Sequence, residues 1–92
     1  MISPERIDQV VRVCERAGLN DRTLSALRES FRPIHFTYCL DDDIGIGIGA
    51  PEPVRTTDAF NLYLVNGQDH CMRFTDDPDV ATGLVLAELS VE

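Results

Sequence analysis

The sequence predicts an α+β domain: an N-terminal helical hairpin, a three-stranded antiparallel sheet and a C-terminal helix, with the helices covering one face of the sheet. Three observations carry this expectation. Apolar residues recur at helical spacing as far as Phe31. From Ile34 the period drops to two. Asn66-Gly67 then separates two further extended stretches, and that dipeptide is the strongest short hairpin signal in a chain. At 92 residues, 43% apolar and 26% charged, residues 1–92 read as one small domain. Such a chain buries about 60–65% of its unfolded surface, so its core is modest. A two-domain enzyme, a TIM-sized barrel and a full dinucleotide fold are excluded by length.

The elements follow in order. Ser3 is placed to accept from a free backbone amide, and Pro4 at the first helical position loses no hydrogen bond. Ile7, Val10, Val11, Cys14 and Ala17 form one stripe, with Arg6, Asp8, Gln9, Arg12, Glu15 and Arg16 opposite. Gly18 stops the helix, because a left-handed backbone costs glycine little. Asn20 caps a second helix, and Leu19 with Leu24 has the spacing of a hydrophobic staple. Leu27 and Phe31 continue its face until Pro33, whose predecessor avoids the helical region. Ile34, Phe36, Tyr38 and Leu40 then alternate with His35, Thr37, Cys39 and Asp41, a half-buried strand.

Residues 42–59 read as a mobile loop or ragged edge. Ile44, Ile46 and Ile48 alternate with Gly45, Gly47 and Gly49 until Pro51 and Pro53 end the run. For the hairpin that follows, a three-residue turn over residues 65–67 puts Phe60, Leu62 and Leu64 on one face with His70, Met72 and Phe74. Asn61 and Tyr63 then share the other face with Asp69, Cys71 and Arg73. The last segment fits two periods. Asp77-Pro78 looks like a cap and first helical position, and Val80, Leu84, Ala87 and Val91 keep helical spacing. Against that, Gly83 costs a helix about 1 kcal/mol, and Val85, Ala87, Leu89 and Val91 also fit a strand. The helix is the favoured expectation and the strand its alternative.

The net charge is −8, unevenly spread. Residues 1–32 carry six arginines and five acids; residues 33–92 carry two arginines and eleven acids. An acidic second half repels nucleic acid and anionic membranes, so neither is expected as a partner. The helical hairpin has helix-turn-helix spacing, but Arg22 and Arg28 are balanced by Asp21 and Glu29, a poor reader of phosphate. The longest apolar run, at residues 84–87, spans no membrane, and the opening residues lack the pattern of a secretory signal. Cys14, Cys39 and Cys71 are odd in number and without framework spacing, so a cytoplasmic protein with reduced thiols is expected.

The outer sheet face would carry His35, Thr37, Cys39, Asp41, Asn61, Tyr63, Asp69, Cys71 and Arg73. His35 and Cys39 lie about 13 Å apart on one strand and cannot close on one ion. Cys39 and Cys71, if their strands pair, are the weak ligand candidates, with Asp41 beside them. The tight spacing of zinc motifs is missing, and no metal or cofactor is expected. Asp41, Asp42 and Asp43 with Glu52 imitate a calcium loop, but Ile46 stands where the turn needs glycine. His70 reads as a satisfied histidine on the apolar face, and nothing supplies the third group and oxyanion site that a Cys–His nucleophile requires.

Three stretches carry a resemblance: residues 35–39 with Asp41, Asp42 and Asp43; residues 60–65 through Asp69, His70 and Cys71; and residues 81–87. They resemble a small bacterial family of unknown function encoded beside nitrogen-fixation genes. The Ile-Gly alternation lies outside that pattern. The resemblance implies a cytoplasmic accessory protein of a nitrogen-fixing cell, and it assigns no catalytic residue. Together with the acidic surface, the small core and the absence of a catalytic constellation, the resemblance leads to the expectation of a non-enzymatic accessory or interaction protein. Its expected contact zone is His35, Asp41, Asp42, Asp43, Tyr63 and Arg73, set against a partner with a basic surface. The alternative is a small ligand- or metal-binding protein using the outer sheet face. The uncovered sheet face also allows a homodimer.

Overall fold

A computed structural model describes residues 2–44, 51–67 and 73–89. Helix α1 spans Pro4–Ala17 and helix α2 spans Asp21–Ser30. The strands are β1 (His35–Leu40), β2 (Arg55–Thr56), β3 (Phe60–Asn66), β4 (Arg73–Thr75) and β5 (Gly83–Glu88). The helix boundaries are set by the expected caps. Ser3 Oγ accepts from Arg6 N–H at 3.3 Å, and Asn20 Oδ1 accepts from Thr23 N–H at 2.9 Å. Gly18 takes φ 81°, where a side chain would be strained, and its N–H bonds to Cys14 C=O at 2.8 Å.

The sheet corrects the expected architecture. Among the described residues it has five strands and is mixed, not three and antiparallel. β1 pairs with β5 in parallel; β5 pairs antiparallel with β3; β2 and β4 add antiparallel to β3. The C-terminal helix is absent, because residues 83–88 are the strand β5 between β1 and β3. The physical reason is burial on both sides. Leu84 and Leu86 face the helices while Val85 and Ala87 face away, and all four are buried. A strand covered on both faces reads as a continuous apolar run, which satisfies helical spacing by coincidence. Gly83 also has a sheet reason: a Cβ there would come within 2.9 Å of His35 C=O on the neighbouring strand.

The register of the hairpin is likewise different. The pairs are Leu64 with Thr75, Val65 with Phe74 and Asn66 with Arg73, with an even number of residues between the members of each. An even separation, where the three-residue turn gives an odd one, reverses the faces of β4. Phe74 therefore stands on the outer side, 44% exposed, and Arg73 on the helix side of the sheet edge. Asp69, His70, Cys71 and Met72, and the Gly45–Gly49 run at residues 45–49, lie outside the described residues.

The expected inward face of β3 stands. Phe60, Leu62 and Leu64 join Phe36, Leu84 and Leu86 against Ile7, Val10, Cys14, Leu24 and Leu27 from the helices. Ile2 is buried with them, its N–H bonded to Pro78 C=O at 3.0 Å. Residues 57–59 turn β2 into β3. Thr57 Oγ1 donates to Phe60 C=O at 2.9 Å and accepts from Phe60 N–H at 3.0 Å. Arg55 on β2 reaches across to α1, with Nε 2.9 Å from Asp8 Oδ1.

Candidate functional site

β1 runs straight into a 3-10 turn, Asp41–Ile44. Here the polar groups of the outer side converge. Alternation along β3 sends Asn61, Tyr63 and Val65 outward, opposite Ala87, Val85 and Gly83 of β5. Asp41 Oδ1 accepts from the Tyr63 hydroxyl at 2.9 Å and from Asn61 Nδ2 at 3.1 Å. Two donors on one carboxylate oxygen fix the start of the turn to the third strand. Tyr63 itself is 5% exposed, and its ring meets Phe74 edge to face at 5.8 Å.

That burial pushes the Tyr63 phenol above its ordinary value, and its hydrogen bond to Asp41 pushes the same way. Cys39, half-buried beside this corner, is also pushed up, first by burial and then by the charges of Asp43 and Asp41. A thiol held protonated is a poor nucleophile and a poor metal ligand. Asp42 and Asp43 follow Asp41 in the turn and are exposed. The arrangement is a fixed anionic corner, with one carboxylate pinned to the sheet and two more facing solvent. Its chemistry suits a cationic group on another molecule.

The structure brings together Asp41, Asp42, Asp43 and Tyr63 and leaves the other expected residues apart. His35 is exposed at the far end of β1, about 20 Å along the strand from Asp41. It lines a groove of about 650 Å³ with Arg28, Arg32 and Thr82. Arg73 sits on β4, opposite Asn66. Cys71, the expected companion of Cys39, lies outside the described residues. Among the described residues, no three His, Cys, Asp or Glu side chains are grouped to hold a metal.

Two features escaped sequence reading. Asn61 is the second donor to Asp41, a role its alternation with Tyr63 already offered. Val65, Val85 and Ala87 make the outer side of the sheet apolar beneath the polar corner, with Cys39 and Ile44 packed against them. That patch was hidden by reading residues 83–88 as a helix.

No helix among the described residues is long and apolar enough to cross a membrane. No curated protein and no solved structure matches the chain. A family model does match, over residues 8–89, which takes in α1 from its second turn, all of α2 and the strands β1 to β5. The chain belongs to the family of unknown function DUF6129.

Proposed function

We propose that the chain is a non-enzymatic interaction module that docks the anionic corner at the end of β1 onto a basic protein surface. The observation that carries the reading is the double hydrogen bond on Asp41 Oδ1. It holds the turn in place before any partner arrives, so Asp42 and Asp43 need little ordering on contact. The acidic second half adds long-range steering towards a basic partner. Tyr63 and Asn61 position the corner and do not themselves meet the partner.

The setting we propose is the cytoplasm of a nitrogen-fixing bacterium, with the chain as an accessory to that process. What supports it is the resemblance carried by residues 35–39 with Asp41, Asp42 and Asp43, by residues 60–65 through Asp69, His70 and Cys71, and by residues 81–87. Two experiments test these readings. Affinity capture from such a cell, with native chain and with an Asp42→Lys, Asp43→Lys variant, should show partners lost from the variant. Equal recovery removes the corner as the docking site. A deletion strain should grow normally on ammonium and poorly on dinitrogen; equal growth on both removes the proposed setting.

A further inference from the structure

We propose that β1 is a self-pairing edge: two copies of the chain join their sheets by antiparallel pairing of β1 across a two-fold axis at Cys39. This deepens the docking reading, on which its charge argument rests, by naming a basic surface that the corner meets.

β1 stands at the end of the strand order, with β5 on one side only. His35 N–H bonds to Thr82 C=O at 3.1 Å, on the β5 side. Alternation then points the backbone groups of His35, Thr37 and Cys39 towards β5 and those of Phe36, Tyr38 and Leu40 outward. Arg28 confirms the direction, since its Nη2 reaches Phe36 C=O at 3.2 Å from that outer side. Among the described residues, no strand pairs with the outward groups of Tyr38 and Leu40. The same two side chains are among the exposed large apolar ones, at 39% and 44%. The strand carries no lysine, proline or bulge of the kind that blunts free edges.

Charge chooses both the orientation and the occupant. Arg28, Arg32 and His35 gather at the start of β1. Asp41, Asp42 and Asp43 follow its end, where Glu88 also accepts from the Tyr38 hydroxyl. Antiparallel pairing sets the basic end of each copy against the acidic end of the other, while parallel pairing sets like against like. For a chain of net charge −8, this is the arrangement in which two copies attract locally. Tyr38 opposite Leu40 of the other copy satisfies all four outward N–H and C=O groups and leaves Arg28 on Phe36. Cys39 then faces Cys39 of the other copy in a non-hydrogen-bonded pair, with Cα atoms about 4.5 Å apart, a span that a disulfide can bridge.

Cross-linking and mass measurement test this together. A Cys71→Ser chain keeps Cys39 and the buried Cys14. When reduced, it should sediment at twice the 10.3 kDa chain mass; under copper-phenanthroline oxidation it should form a covalent dimer that a further Cys39→Ser change abolishes. Leu40→Lys, at an exposed position, should keep the circular dichroism spectrum and weaken the dimer about tenfold or more. A monomer at every concentration overturns the inference. So does a dimer with no Cys39 link, or one that Leu40→Lys leaves intact. A monomer that still loses captured partners on reversal of Asp42 and Asp43 overturns the self-pairing alone and leaves the docking reading standing.

Discussion

On the helix side of the sheet, Leu62, Leu64, Leu84 and Leu86 close against Ile7, Val10 and Leu27. On the outer side, Tyr63, Val65, Val85 and Ala87 are comparably buried, but their patch ends in the hydrogen-bonded corner at Asp41. The same strands supply both sides, residue by alternate residue. The first side is stabilised by area and fit, which are spread over many contacts. The second adds two directional bonds on a single atom, which place a turn and the charges it carries. A face of the first kind holds the fold; a face of the second kind can also present something.

Four measurements test that contrast. The largest effect is expected on the helix side: Leu62→Ala, at a fully buried position, should cost about 2–5 kcal/mol in urea unfolding. A loss below about 1 kcal/mol would mean that this side is loosely packed.

Next comes a pH effect at Cys14, also on the helix side. Burial pushes its thiol up from 9.0 to about 11. The unfolded chain therefore releases this proton first. The group's stabilising contribution is complete below pH 9, and about 2 kcal/mol of it is lost as the pH climbs towards 11. Cys14→Ala should flatten that part of the stability profile, whatever it does to stability at neutral pH.

On the outer side, Asp41→Ala strands the Tyr63 hydroxyl and the Asn61 amide and should cost about 1–3 kcal/mol. It should also bring the Tyr63 phenol back towards its ordinary value, read as an earlier rise in ultraviolet absorbance during alkaline titration. An unchanged titration would mean that the corner does not hold in solution. The smallest effect is expected at Asp8, whose ion pair with Arg55 is partly exposed on both partners. Asp8→Ala should change stability by less than about 1 kcal/mol.

The two sides also differ in how far the sequence revealed them. Both helices were legible because their ends are chemically marked: Ser3 and Pro4, Gly18, and Asn20 each solve a local backbone problem. The inward residues of β3, and Phe36 on β1, were legible from alternation alone, whereas Tyr38 and Leu40, expected on the same face of β1, are exposed because no helix reaches over them. β5 was legible only as the second choice to a helix, since a strand apolar on both faces fits helical spacing as well as it fits alternation. Its partners, β1 and β3, are remote in sequence, so no local signal gives the parallel pairing of His35 with Gly83. Phe74 fell on the wrong face because face depends on the parity of the pairing, and Val65 opposite Phe74 has the opposite parity to a three-residue turn. At the site, the three aspartates and Tyr63 stood out, but their meeting through Asp41 Oδ1 depends on that same long-range register.

The placement of β5 has a consequence for biosynthesis. β1 and β3 each need it as a neighbour, yet among the described strands it leaves the ribosome after all the others. Until then the nascent chain exposes the greasy edges of two unmatched ribbons. Assembly of the sheet thus waits until residues 83–88 have emerged, and it proceeds through contacts of long sequence separation, which are slow to form.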